Sequence, residues 1–159
     1  SRFVKAINDL KKITDFVIID SAAGLGREAL LPLGALNKED EILIVTNPEM
    51  PAVTDALKTI KLAEKLQKKV AGIIIARAKN KKKQELDTKN IKALLEKPIL
   101  ARIPEDESVH ESIMQRSPLV LTHPNSKAAK SYKRLAAKIA NVEYKEERSF
   151  LEKIFGWLK

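Results

Sequence analysis

Asp20 closes an apolar run, Phe16-Val17-Ile18-Ile19, and Ser21-Ala22-Ala23-Gly24-Leu25-Gly26 follows as a loop of small residues opening a helical pattern. A carboxylate at the carboxyl end of a buried strand can hold magnesium through water, because hard cations take oxygen ligands. Backbone N–H groups of such a loop, and of the helix it opens, can hold phosphate. These residues suit a nucleotide site; they also suit an Asp that ends a strand and caps the next turn. Gly24-Leu25-Gly26-Arg27-Glu28-Ala29 matches the dinucleotide fingerprint, which requires an acidic residue ending the second strand. Here Glu39, Asp40 and Glu41 precede that strand and Asn47 ends it, so the dinucleotide pattern is incomplete. The phosphate-cradling pattern G-x-x-x-x-G-K-[ST] does not occur, since none of Gly24, Gly26, Gly34, Gly72 and Gly156 begins such a run.

Other chemistries lack their parts. Ser21 has no sequence-local histidine to activate it as a nucleophile. His110 and His123 fall in different elements without a ligand set around them, and the chain has no cysteine, which excludes disulfides and thiolate metal sites. The 159 residues, 44% hydrophobic and 32% charged, exclude a disordered chain and suit one domain with a real core. No apolar run is long enough to span a bilayer, and no signal segment opens the chain, so the cytoplasm is the expected compartment. Thirty Lys and Arg against 21 Asp and Glu give a net charge of +9 and a pI near 9.7, which favours an anionic partner. Lys58, Lys61, Lys65, Lys68, Lys69 and the cluster Lys79, Lys81, Lys82, Lys83 carry no interleaved aromatic platform, so they read as a solvated surface.

The elements that must position Asp20 follow from periodicity. Phe3, Val4, Ile7 and Leu10 mark a helix over 1–12, running straight into a strand at Phe16–Ile19. A helix from about Arg27 to Leu36 precedes a strand at Ile42–Val45, and Pro51 suits the first turn of a helix reaching Gln67. Val70–Ala76 is the third strand, and Asn80–Lys83 a polar loop. Ile91, Leu94 and Leu95 mark a short helix, and Pro98–Ala101 leads into the fourth strand. A helix near Ser108–Gln115, a short strand at Leu119–Leu121 and a helix capped by Asn125 or Ser126 and ending at Ala140 complete the pattern. Continuously apolar strands separated by helices predict an α/β fold with a parallel sheet buried on both faces.

Three segments at strand ends carry a resemblance: Asp20-Ser21-Ala22-Ala23-Gly24, Thr46-Asn47-Pro48-Glu49 and Ile103-Pro104-Glu105-Asp106. In order and spacing they resemble signatures of the MinD/ParA family of deviant Walker-A P-loop ATPases, closest to MinD, over nearly the whole chain. The resemblance implies a parallel-sheet P-loop NTPase fold that lacks its N-terminal P-loop part, so 1–141 would be the C-terminal portion of the ATPase domain. The missing strand would lie between those at Phe16 and Ile42, leaving a gap or a rearranged sheet edge. By the same resemblance Asp20 acts on Mg2+ through its water shell, and the Gly24 backbone senses the γ-phosphate of ATP, these two being the catalytic candidates. Ala22 stands where the family usually has proline. Asn47 and Pro48 lie near the nucleotide and the dimer interface, Pro104 lies beside adenine, and Arg77 belongs to an Asn-Arg pair whose asparagine is Ala76 here, leaving base preference open. The helix after Pro48, including Asp55, matches the surface that binds regulator proteins.

Residues 142–148 read as a charge-balanced linker. In 149–159, Phe150, Leu151, Ile154, Phe155, Trp157 and Leu158 fall within an arc of about 160° at roughly 100° per residue, with Lys153 on the complementary face. Such a helix either docks on its own domain or lies in a bilayer interface, with its lysines at headgroup level. MinD proteins carry a comparable membrane-targeting helix there, which implies a cytoplasmic protein peripheral at the inner face of the membrane. The implied function is spatial regulation, of the cell-division site or another positioned process, by an ATPase that dimerises with ATP and binds membrane reversibly. Without the P-loop the chain by itself is expected to be inactive toward ATP. The alternatives are a ParA-like DNA-binding partitioning module, nucleic acid being the less favoured partner, and a catalytically silent interaction domain.

Overall fold

The computed structural model describes residues 2–22, 32–79 and 85–145. In chain order the elements are α1 (Arg2–Leu10), β1 (Glu41–Thr46), α2 (Met50–Lys65), β2 (Lys69–Ala78), α3 (Thr88–Leu95), β3 (Ile99–Pro104), α4 (Glu107–Met114), α5 (Leu119–Thr122) and α6 (Lys127–Ala140). The strands form one sheet of order β1-β2-β3. β1 and β2 run parallel, from Glu41 opposite Lys69 to Thr46 opposite Ile75, with a register slip between Ile42 and Leu43. Ile73 N donates to Pro98 O at 2.9 Å and Glu105 N donates to Ala78 O at 3.0 Å, so β2 and β3 also advance in the same sense. Gly72 permits this pairing: a Cβ there would stand 2.6 Å from Pro98 O and 2.7 Å from Leu100 Cγ.

The described residues divide between two compact units, one within Ser1–Ile75 and Lys81–Leu100, the other within Ala76–Asn80 and Ala101–Lys159. In the first, α2 buries Val53, Ala56, Ile60 and Ala63, whose three- and four-residue spacing makes one stripe. That stripe packs against β1, α3 adds Ile91 and Leu95, and β2 contributes Ile73, Ile74 and Ile75. Pro51 stands in the first turn of α2, where no amide is missed. Lys11 reaches the carboxylate of Asp40, which also accepts from Asn37 N at 2.7 Å and so secures the turn ahead of β1. Burial opposes ionisation of Asp40, but the Lys11 and Asn37 hydrogen bonds outweigh it and hold the carboxyl below its usual range.

The second unit is built on smaller side chains. Ala78, Ile103, Leu119, Ala128, Ala129, Leu135 and Ala137 form its core, and the alanines leave α6 a slim buried face. Ser126 caps α6 by accepting from Ala129 N at 3.1 Å, as its position before an apolar-periodic run predicts.

Two strand expectations fail. Residues 16–20 form no strand, and Phe16 and Ile18 are 58% and 89% exposed. An apolar run becomes a sheet strand only when a neighbouring strand takes up its amides and carbonyls, and no described residue pairs with this one. Among the described residues β1 and β3 are the two edges of the sheet. Leu119–Leu121, expected as a strand, is the short helix α5: Leu121 N and Thr122 N both donate to Pro118 O, which satisfies three or four residues locally without a sheet edge. The expected helix from about Arg27 to Leu36 is helical at 32–35, and its residues before 32 lie outside the described residues. The expected loop Asn80–Lys83 and the expected helix over 149–159 lie outside them too.

Candidate nucleotide-binding site

Pro104 ends β3 because a residue without an N–H cannot extend the ladder there, and the chain leaves the sheet through Glu105 and Asp106. Glu105 N closes on Ala78 O, while the Glu105 carboxylate meets Arg77 Nη2 at 3.5 Å and Lys79 Nζ at 3.4 Å. Arg77 sits at φ 54°, a left-handed conformation that a side-chain-bearing residue adopts at a cost of about 1 kcal/mol. The structure thus brings two of the sequence-derived candidates, Arg77 and Pro104, to one strand-end cluster bridged by Glu105. Half-buried Ala76 offers no side-chain hydrogen bond to a base.

Asp106 is the residue that sequence reasoning undervalued. One carboxylate oxygen accepts from Ser108 N at 3.1 Å and Ser108 Oγ at 2.6 Å, capping α4; the other accepts from Ala128 N at 3.1 Å, at the start of α6. These bonds, Ser108 first, hold its carboxyl below the ordinary value of 3.8 against the opposing effect of burial. Asp-x-Ser ahead of a helix is a capping signal, but the second helix served by the same carboxylate lies 22 residues away and no local pattern announces it.

Pro104 also borders an open cleft of about 330 Å3 lined by Ala78, Arg102, Pro104, Lys127, Lys130, Ser131 and Arg134. No acidic side chain is in that lining.

The other candidates belong to the first unit. Asn47 is half-buried and Pro48 fully buried at the end of β1, where Pro48 O accepts from Leu86 N at 2.8 Å. Asp55 lies exposed on α2 and pairs with Lys58 Nζ at 2.9 Å. Asp20 is exposed in the unpaired segment after α1. Gly24 and the tail residues Phe150, Leu151, Lys153, Ile154, Phe155, Trp157 and Leu158 lie outside the described residues. Among the described residues no three His, Cys, Asp or Glu side chains converge as a metal site.

Comparison with known proteins gives the family and the fold. The family model for ParA, described as NUBPL iron-transfer P-loop NTPase, matches residues 3–140. An uncharacterised ATP-binding protein of Methanocaldococcus jannaschii is 36% identical over 160 residues, covering 98% of this chain and 58% of the relative. The crystal structure of the cell division ATPase MinD of Pyrococcus furiosus is similar with a TM-score of 0.79 at 31% identity, covering 88% of this chain and 57% of that one. The septum site-determining protein MinD of Pyrococcus horikoshii, solved in complex with Mg-ADP, is similar with a TM-score of 0.78 at 29% identity, covering 87% of this chain and 55% of that one. The chain therefore spans a little over half the length of these relatives. With a parallel α/β sheet, strand-end motifs in the expected order and a match over 3–140, the chain belongs to the MinD/ParA family of P-loop NTPases.

Proposed function

We propose that this chain is the switch and membrane-targeting portion of a MinD-like ATPase that acts in spatial regulation, of the division site or of another positioned process. The observation that carries the reading is the placement of Arg77 and Pro104 at the carboxyl ends of β2 and β3, where open parallel sheets bind ligands, in a fold similar to that of MinD with Mg-ADP. In a protein of the relatives' length, Asp20 would hold hydrated Mg2+ and the Gly24 backbone would meet the γ-phosphate. Magnesium supplies charge neutralisation at the transferred phosphoryl group when bound. Pro104 and the aliphatic stem of Arg77 would flank the base, and Glu105 holds that stem in place through the guanidinium.

ATP-dependent pairing of two chains would join two weakly binding tails, raising membrane avidity without new contacts. Asp55, on the exposed face of the helix after Pro48, would meet a regulator protein. Co-sedimentation with anionic and neutral vesicles, for the whole chain and for a chain ending at residue 148, tests the membrane part. Tail-dependent binding that disappears with Phe155→Glu is the expected result; binding unchanged by the deletion would return the tail to the domain. The purified chain should not hydrolyse ATP, since no P-loop pattern occurs in it, and measurable turnover would overturn that assignment.

A further inference from the structure

We infer that Asp106 is a positioning residue through which a base held at Pro104 sets the placement of α6 and, with it, of the point from which residues 142–159 depart; the inference rests on the nucleotide site proposed above. Asp106 follows Pro104 closely, and the loop between β3 and α4 is tied at three points. Glu105 N donates to Ala78 O of β2 at 3.0 Å. Ser108 N and Oγ donate to one oxygen of Asp106 at 3.1 and 2.6 Å, and Ala128 N of α6 donates to the other at 3.1 Å. A loop this short and this fully bonded has no slack, so a shift of Pro104 is passed on through the hydrogen bonds rather than absorbed.

The tie is not needed to make α6 a helix. Ser126 already caps it locally, accepting from Ala129 N at 3.1 Å, and Asp106 takes a further first-turn amide from 22 residues away. What α6 lacks in its own first turn is negative charge: Lys127 stands there and no acidic residue does. The Asp106 carboxylate supplies it, in a charge-assisted bond at the positive end of the helix dipole. The strand-end loop thus holds α6 by a bond that the helix cannot replace from its own sequence. At its other end α6 is closed as firmly. Asn141 is left-handed at φ 53°, its N–H reaching Lys138 O at 3.3 Å, and Val142 N donates to Ala137 O at 3.0 Å. The 14 residues between, about 21 Å of helix, carry a displacement at Ala128 as one body to the start of residues 142–148.

Titration of the isotopically labelled full chain with adenosine, which carries a base and no phosphate, tests the coupling by NMR. The amide resonance of Glu105 reports the base site. That of Val142 reports the far end of α6, about 20 Å from Ala128 and beyond the direct reach of a base beside Pro104. Both resonances should shift with one dissociation constant in the parent, and also in Ser126→Ala, which loses the local cap and keeps the tie. In Asp106→Ala the Val142 response should be lost while that of Glu105 remains. Asp106→Asn, which keeps one carbonyl acceptor, should give an intermediate Val142 response, and it carries the test if circular dichroism shows Asp106→Ala to be unfolded. A parent in which Glu105 responds and Val142 does not overturns the coupling and leaves the base site standing. So does a Val142 response that survives in Asp106→Ala, or one lost equally in Ser126→Ala, which would mark helix stability alone. Loss of both responses in Asp106→Ala would make Asp106 part of the base site itself and overturn the relay. If Glu105 does not respond in the parent, the base site fails and the inference falls with it.

Discussion

Phe16–Asp20 and Ile99–Asp106 have a similar design in sequence: a mainly apolar run, interrupted by Arg102 in the second, then an acidic residue at the point where the chain should leave a sheet. In the structure they have opposite fates. Ile103 is 2% exposed in β3, and the segment after it is tied by Glu105 N to β2 and by Asp106 to two helices. Ile18 is 89% exposed in an unpaired segment. The apolar residues and the terminal acid do not distinguish the two; the presence of a neighbouring strand does. A parallel strand has no local partner, because its hydrogen bonds are all made to residues distant in sequence.

The contrast can be broken most strongly at the two isoleucines. Ile103→Ala should lower stability by about 2–4 kcal/mol in urea denaturation, whereas Ile18→Ala should change it by less than about 0.5 kcal/mol. A comparable loss at Ile18 would mean that the first segment is buried in solution. Asp106→Ala, which removes caps from α4 and α6 together, should cost about 2 kcal/mol. Asp106→Asn keeps one carbonyl acceptor and should cost about half as much.

Acid sharpens the same comparison. The folded-state carboxyl of Asp106 is held below 3.8, so its stabilisation is fully present above that value and is lost as pH falls through the folded-state pKa. Acid unfolding followed by circular dichroism should show this loss in the parent protein and a shallower one in Asp106→Asn. Asp40 has the same direction of shift, so the acid dependence should shrink without vanishing. The smallest expected effect is at Arg77. Glycine at φ 54° relieves the left-handed strain, less its own backbone entropy and a long surface ion pair, and Arg77→Gly should raise stability by about 0.5 kcal/mol in the same titration.

Much of the fold was legible because it rests on local patterns. Val53, Ala56, Ile60 and Ala63 recur at helical spacing, Pro51 and Ser126 mark helix starts, and the unbroken apolar β2 core signals a strand covered on both faces. Leu119–Leu121 differs from its expected strand because three apolar residues after a proline fit a short strand or a helical turn equally, and only the Pro118 carbonyl, accepting from two later amides, separates them.

The candidate site divides in the same way. The sequence by itself determined the strand-end motifs, the missing phosphate loop and the cation spacing on α6, since each is a matter of residue type and local period. Only the tertiary structure decided that Glu105 joins Arg77 and Lys79, that Asp106 serves two helices, that Arg102 comes to α6 and that Asp20 follows an unpaired segment. Those outcomes depend on which distant backbone a strand meets, and the free energy of such pairing resides in both partners rather than in either segment alone.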